Sequence, residues 1–64
     1  MTAKEYNATL KKLGLTAYGA ARYLGVSRRQ SLRYASGEQP ISRTIELLLR
    51  MYLAHGLPPV GNSR

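Results

Sequence analysis

The chain has 64 residues, with ten Lys and Arg against three Asp and Glu, a formal charge of +7 and no cysteine. A chain this short makes one domain at most and buries only about 60% of its unfolded surface. That leaves little room for an enclosed active site, and without thiols neither disulfides nor cysteine-ligated zinc can brace the fold. No apolar run approaches the ~20 residues that cross a bilayer, and MTAKEYNATLKK lacks the layout of a secretory signal. The expectation is a soluble, cytoplasmic domain whose charge favours polyanionic partners.

Helix signals follow one another along the chain. Thr2-x-x-Glu5 is a capping-box pattern, Tyr6, Leu10 and Leu13 follow at helical spacing, and Gly14 supplies a left-handed stop. This predicts a first helix over residues 3–13. Thr16 can cap a second helix in which Ala17, Ala20, Ala21 and Leu24 share a face, with small residues that let a neighbouring backbone come close. Gly19 lies opposite that face and has no local explanation, although it costs about 1 kcal/mol relative to alanine in a helix. Gly25 ends this helix, and Ser27-x-x-Gln30 is a second capping-box pattern two residues on. The third helix is predicted from Arg28 to Ser36, with Gly37 as its stop.

Pro40 is expected near the first turn of a fourth helix, where a missing amide hydrogen does no harm. Its stripe is Ile41, Ile45, Leu48, Leu49, Tyr52 and Leu53, and Gly56, Pro58 and Pro59 close it. Residues 1–57 then form the domain and 58–64 a flexible tail. No segment alternates as a strand does. The expected fold is all-α, a compact bundle of four short helices with a helix-turn-helix in helices two and three.

The stretch LGVSRRQSLRYASGEQP holds the chemistry. Gly25 allows a tight turn, Val26 can plug the core between the two helices, and Ala21 must be small where they cross. A helical wheel then puts Arg28, Arg29, Leu32, Arg33 and Ser36 on one face of helix three, with Ser31, Tyr34 and Ala35 on the other. Arginine's planar fork bonds bidentately to guanine O6 and N7, or to phosphate. Leu32 on that face can meet a thymine methyl. Thr16 offers free amides and a hydroxyl suited to phosphate, Ser27 does so at the start of helix three, and Arg43 can flank the same surface. Tyr6, Tyr34 and Tyr52 are expected in the core, and Tyr18 and Tyr23 on the flanks of helix two.

Residues 16 to 56 resemble the lambda-repressor-like, or Cro/C1-type, helix-turn-helix DNA-binding domains. The resemblance is carried by AARYLGVSRRQSLRYASGEQPI, from Ala20 to Ile41. It implies base contacts from Arg28, Arg29 and Arg33, a phosphate held at Thr16, and approach of Arg43 to the DNA backbone or minor groove. The chain departs from the family where Ser31 replaces a usually β-branched core residue and Leu32 a usually polar, exposed one. Little sequence remains for the family's common fifth helix.

Other readings stand beside these. The arginines form a solvated face if no partner exists. Leu47, Met51 and Ala54 make a second apolar strip on helix four, which is either a wide core stripe or a partner surface. His55 complements a helix C-terminus. With acids only at Glu5, Glu38 and Glu46, no carboxylate pair offers acid–base catalysis, so neither an enzyme nor a metal or cofactor site is expected. The expected function is sequence-specific binding of double-stranded DNA by a nucleoid-associated, repressor-like regulator. The expected assembly is a homodimer through Leu47 and Met51, because one helix-turn-helix contacts few base pairs. The alternatives are a protein-interaction module, antitoxin-like in its partner binding, and a sequence-neutral nucleic-acid binder.

Overall fold

Every helix in the computed structural model, which describes residues 1–58, begins on a hydroxyl. Thr2 caps α1 (Ala3–Lys12), Thr16 caps α2 (Ala17–Leu24), Ser27 caps α3 (Arg28–Ser36) and Ser42 caps α4 (Arg43–His55), each oxygen accepting from the amide three residues on. Each cap satisfies an otherwise free amide, and its loss costs about 0.5–2 kcal/mol. At Thr2 the box is complete. The Thr2 amide donates to Glu5 Oε1 at 2.8 Å, and that bond holds the exposed Glu5 carboxyl below its ordinary 4.5.

The turn between α2 and α3 requires glycine. Gly25 has φ +70°, a region where a β-carbon is strained. Val26 follows, half-buried against the core.

The predicted boundaries hold with three corrections. α1 ends at Lys12, with Leu13 as its C-cap. α4 starts at Arg43 rather than near Pro40, because the Ser42 hydroxyl captures the Ile45 amide at 3.3 Å; Pro40 and Ile41 lie in the connection. The box at Ser27 is half-formed. Ser27 Oγ accepts from the Gln30 amide, but the Gln30 side chain donates instead to Tyr34 Oη at 3.1 Å, one turn further on.

The core joins Tyr6 and Leu10 of α1, Ala20, Ala21 and Leu24 of α2, Tyr34 of α3, and Ile45, Leu49 and Tyr52 of α4. The small Ala20 and Ala21 let α2 pack closely on α3, the most extensive helix pairing in the fold. Tyr6 meets Tyr34 edge to face at 5.7 Å, and Tyr23 meets Tyr52 at 6.2 Å. Tyr52 Oη also donates to the Tyr23 carbonyl at 2.6 Å. Leu57 packs on the core from beyond α4. Leu53, assigned to the core stripe from the sequence, is exposed. The flexible tail expected from residue 58 lies, from residue 59 onward, outside the described residues.

Ser31 is fully buried. Its Oγ donates to the Ala17 carbonyl at 2.6 Å and stands 2.7 Å from Tyr6 Oη. The serine's one hydrogen is committed to Ala17, so Tyr6 is the donor in the second bond. α1, α2 and α3 therefore meet at one hydroxyl. No buried side-chain polar atom among the described residues lacks a partner. Burial raises the Tyr6 phenol above its ordinary 10.0, and Tyr34 adds to that rise. A raised folded value stabilises the protein fully below pH about 10, and the contribution fades as pH climbs through the folded value. Tyr6→Phe should cost about 1 kcal/mol at neutral pH. It should also flatten the fall of melting temperature above pH 10, which thermal denaturation from pH 7 to 11 measures.

Candidate nucleic-acid interface

α3 packs on α1 and α2 and makes no packed pair with α4. Its side away from Ser31 and Tyr34 is therefore uncovered. Arg28, Arg29, Leu32 and Arg33 are all exposed on it, Leu32 at 39%. The wheel drawn from the sequence is thus the one the fold adopts. Ser31 is buried and Leu32 exposed, as the wheel places them.

The charges at the start of α3 run against its own dipole, while Arg33 in the last turn accords with it. A helix N-terminus carries partial positive charge and its C-terminus partial negative charge, and each favourable side chain there contributes typically about 0.3–1 kcal/mol. α1 obeys this rule with Glu5 in its first turn and Lys11 and Lys12 in its last. In α3 the first turn contains no acid and starts instead with Arg28 and Arg29. Folding gains nothing electrostatically from that placement. A bound anion would gain both the arginines and the dipole behind them.

A shallow groove of about 530 Å³ opens beside this face. Tyr18, Gly19 and Arg22 of α2 line one side, and Val26, Ser27 and Arg28 the other. Sequence reasoning placed Ser27 and Arg28 at the site but not Tyr18 or Arg22. The signal was there, because a tight turn folds the outer face of α2 back beside the start of α3. Gly19 also gains an explanation. Its amide donates to Thr16 Oγ1 at 3.0 Å, and a Cβ at this position would stand 3.3 Å from that same oxygen. Glycine leaves the cap uncrowded and the groove open.

Thr16 and Ser27 are exposed, and both hydroxyl oxygens are engaged as N-caps. Each keeps its own O–H to donate to a phosphate oxygen. Arg43 is exposed at the first position of α4. It lies on a helix not packed against α3, so the fold does not bring it into the arginine cluster. Leu47 and Met51, 48% and 49% exposed, follow Arg43 at four-residue intervals on the outer side of α4 and contribute nothing to the core. His55 is in the last turn of α4, as read from the sequence.

No group of three His, Cys, Asp or Glu among the described residues is placed to hold a metal. No helix among them is long and apolar enough to cross a membrane. The class of the molecule is therefore a small all-α bundle with a helix-turn-helix and a cationic outer helix face. Beyond that class, no family model, curated protein or solved structure matches the chain.

Since Leu32 is exposed and lies outside the core cluster, Leu32→Ala should change stability by no more than about 0.5 kcal/mol. Circular dichroism melts check this, and a large loss would place α3 in another rotation.

Proposed function

We propose that this protein binds double-stranded DNA sequence-specifically, laying the outer face of α3 in the major groove, and that it acts as a repressor-like transcriptional regulator. The observation that carries the reading is the set of Arg28, Arg29 and Arg33 around an exposed Leu32, on a helix face left unpacked, with Arg28 and Arg29 set against the helix dipole. Arginine forks match guanine edges, and an apolar side chain among them matches a thymine methyl. The resemblance of Ala20–Ile41 to lambda-repressor-like domains agrees with this docking. Thr16, Ser27 and Arg43 serve as phosphate contacts, and Arg22 on the groove wall joins them. A cytoplasmic, nucleoid-associated protein is the matching cellular setting.

Occupancy of an operator by one helix reads few base pairs, so two copies on half-sites about one helical turn apart supply useful specificity. The exposed Leu47 and Met51 strip is the proposed homodimer surface. The same strip supports a second reading, a protein-interaction module whose α4 docks an apolar partner. Binding of duplex DNA by the purified domain separates the two.

In titrations across salt concentration, four neutralised phosphates per monomer would give a log–log slope near −3.6, at about −0.9 per phosphate. Arg33→Ala should lose about 1–3 kcal/mol of discrimination at one base position per half-site. Arg43→Ala should weaken selected and scrambled duplexes alike and reduce the slope by about one phosphate. Selection from a random duplex pool supplies the preferred site. Equal affinity for every duplex would leave a sequence-neutral binder, and no binding at all would leave the protein-interaction module.

Met51→Lys tests assembly. It should give a folded monomer by sedimentation whose affinity for a two-half-site duplex falls to that for a single half-site. A parent protein that remains monomeric on DNA would remove the homodimer.

A further inference from the structure

Three acids serve a chain of charge +7, and two have structural duties. Glu5 completes the α1 capping box. Glu46 stands in the first turn of α4, bonded to Arg50 Nη2 at 2.6 Å and to the Met1 amino group at 3.4 Å. Glu38 has no such duty. It lies just beyond the C-terminus of α3, where the helix dipole disfavours a negative charge. Its carboxylate approaches Arg33 Nε at 3.8 Å, both side chains being well exposed, and an exposed pair of this length stabilises a fold little.

The backbone nevertheless fixes Glu38 firmly. Its amide donates to the Arg33 carbonyl at 3.0 Å and to Ser36 Oγ at 3.3 Å, as the chain reverses through Gly37 at φ +83°. The carboxylate is thus returned one turn along α3 to the arginine placed among the groove-facing residues. It addresses Nε, and the two Nη groups keep the end-on fork that matches guanine O6 and N7.

We propose that Glu38 is a positioning residue for Arg33, holding the guanidinium toward base edges and away from phosphate, so that it sets discrimination rather than affinity. This rests on the reading of α3 as a major-groove helix. An unpaired arginine on a long flexible stem reaches any nearby phosphate. A carboxylate at Nε restricts that stem and repels the phosphates themselves, which penalises wrong sequences more than right ones.

The experiment compares wild type, Glu38→Gln, Arg33→Ala and the double variant on two duplexes. One is selected from a random pool, and the other is altered at the base pair whose preference Arg33→Ala relaxes. Glu38→Gln should tighten binding to the altered duplex and lower the affinity ratio about 3–10-fold, within the range one base contact commands. In the Arg33→Ala background the same change should move the ratio less than about twofold, the mark of a coupled pair. In the protein without DNA, the Arg33 Nε–Hε resonance should shift on Glu38→Gln. A ratio unchanged by Glu38→Gln, an equal effect in the Arg33→Ala background, or an unmoved resonance would each overturn the role of Glu38. A wild type that treats both duplexes alike would instead overturn base reading by Arg33, and this inference with it.

Discussion

The bond from Ser31 to the Ala17 carbonyl, completed by the Tyr6 phenol, sets the rotation of α3, and the outer surface depends on that rotation. Residues on a helix are about 100° apart. A one-residue turn of α3 would withdraw Ser31 from both partners and leave the buried Tyr6 phenol without an acceptor. Such an orphan costs about 1–3 kcal/mol, a large share of what a domain this small has in hand. With Ser31 locked inward, Leu32 and the arginines have no choice but to face out. Tyr6 is also the reason a serine suffices at this position. Its ring and its edge contact with Tyr34 fill space that a larger side chain on α3 would otherwise need.

The relay permits charge on α3 that its own dipole opposes. Ser27 secures the N-terminus of α3 and Gly37 its C-terminus, while the burial of Tyr34 ties its middle to α1. None of these depends on the sign of the exposed residues. Arg28 and Arg29 can therefore occupy the first turn at a modest electrostatic cost to the fold. α1 and α4 each place an acid in the first turn, Glu5 and Glu46. α3 differs in opening on two adjacent arginines with no acid in its first turn.

What the sequence made legible was local. The Thr2–Glu5 box, the hydroxyl at Thr16 and the glycines at 14, 25 and 37 each act within one turn, and the helices they delimit lie where they were expected. The start of α4 was misplaced because Ile41 fits the apolar spacing while Ser42 caps the next turn, and a cap outweighs periodicity at a helix end. Gln30 was expected to accept from the Ser27 amide, but its side chain turns instead to Tyr34, one turn away, and donates there. The wheel put Ser31 on the inward side of α3, but its hydrogen-bond role was not legible. Its partners, Ala17 and Tyr6, are 14 and 25 residues distant, beyond any window of local spacing. For the same reason Tyr18 and Arg22 entered the site only when the turn at Gly25 had been folded.

Leu32 is the residue at which packing and chemistry part most clearly. An exposed leucine contributes nothing to the core, and one so placed among arginines gains nothing from solvent either. A solvated cationic face would be better served by a polar side chain, since arginines alone keep such a face hydrated. A face meant for base edges has a use for it, because thymine differs from cytosine in the major groove by its methyl group as well as by its carbonyl. Arginine forks and a lone apolar contact then divide the work between guanine and thymine. On that account the proposed reading explains a residue that charge alone leaves unexplained. It also makes sequence-neutral binding the poorer description of the same surface, because a phosphate backbone has no methyl group for Leu32 to meet.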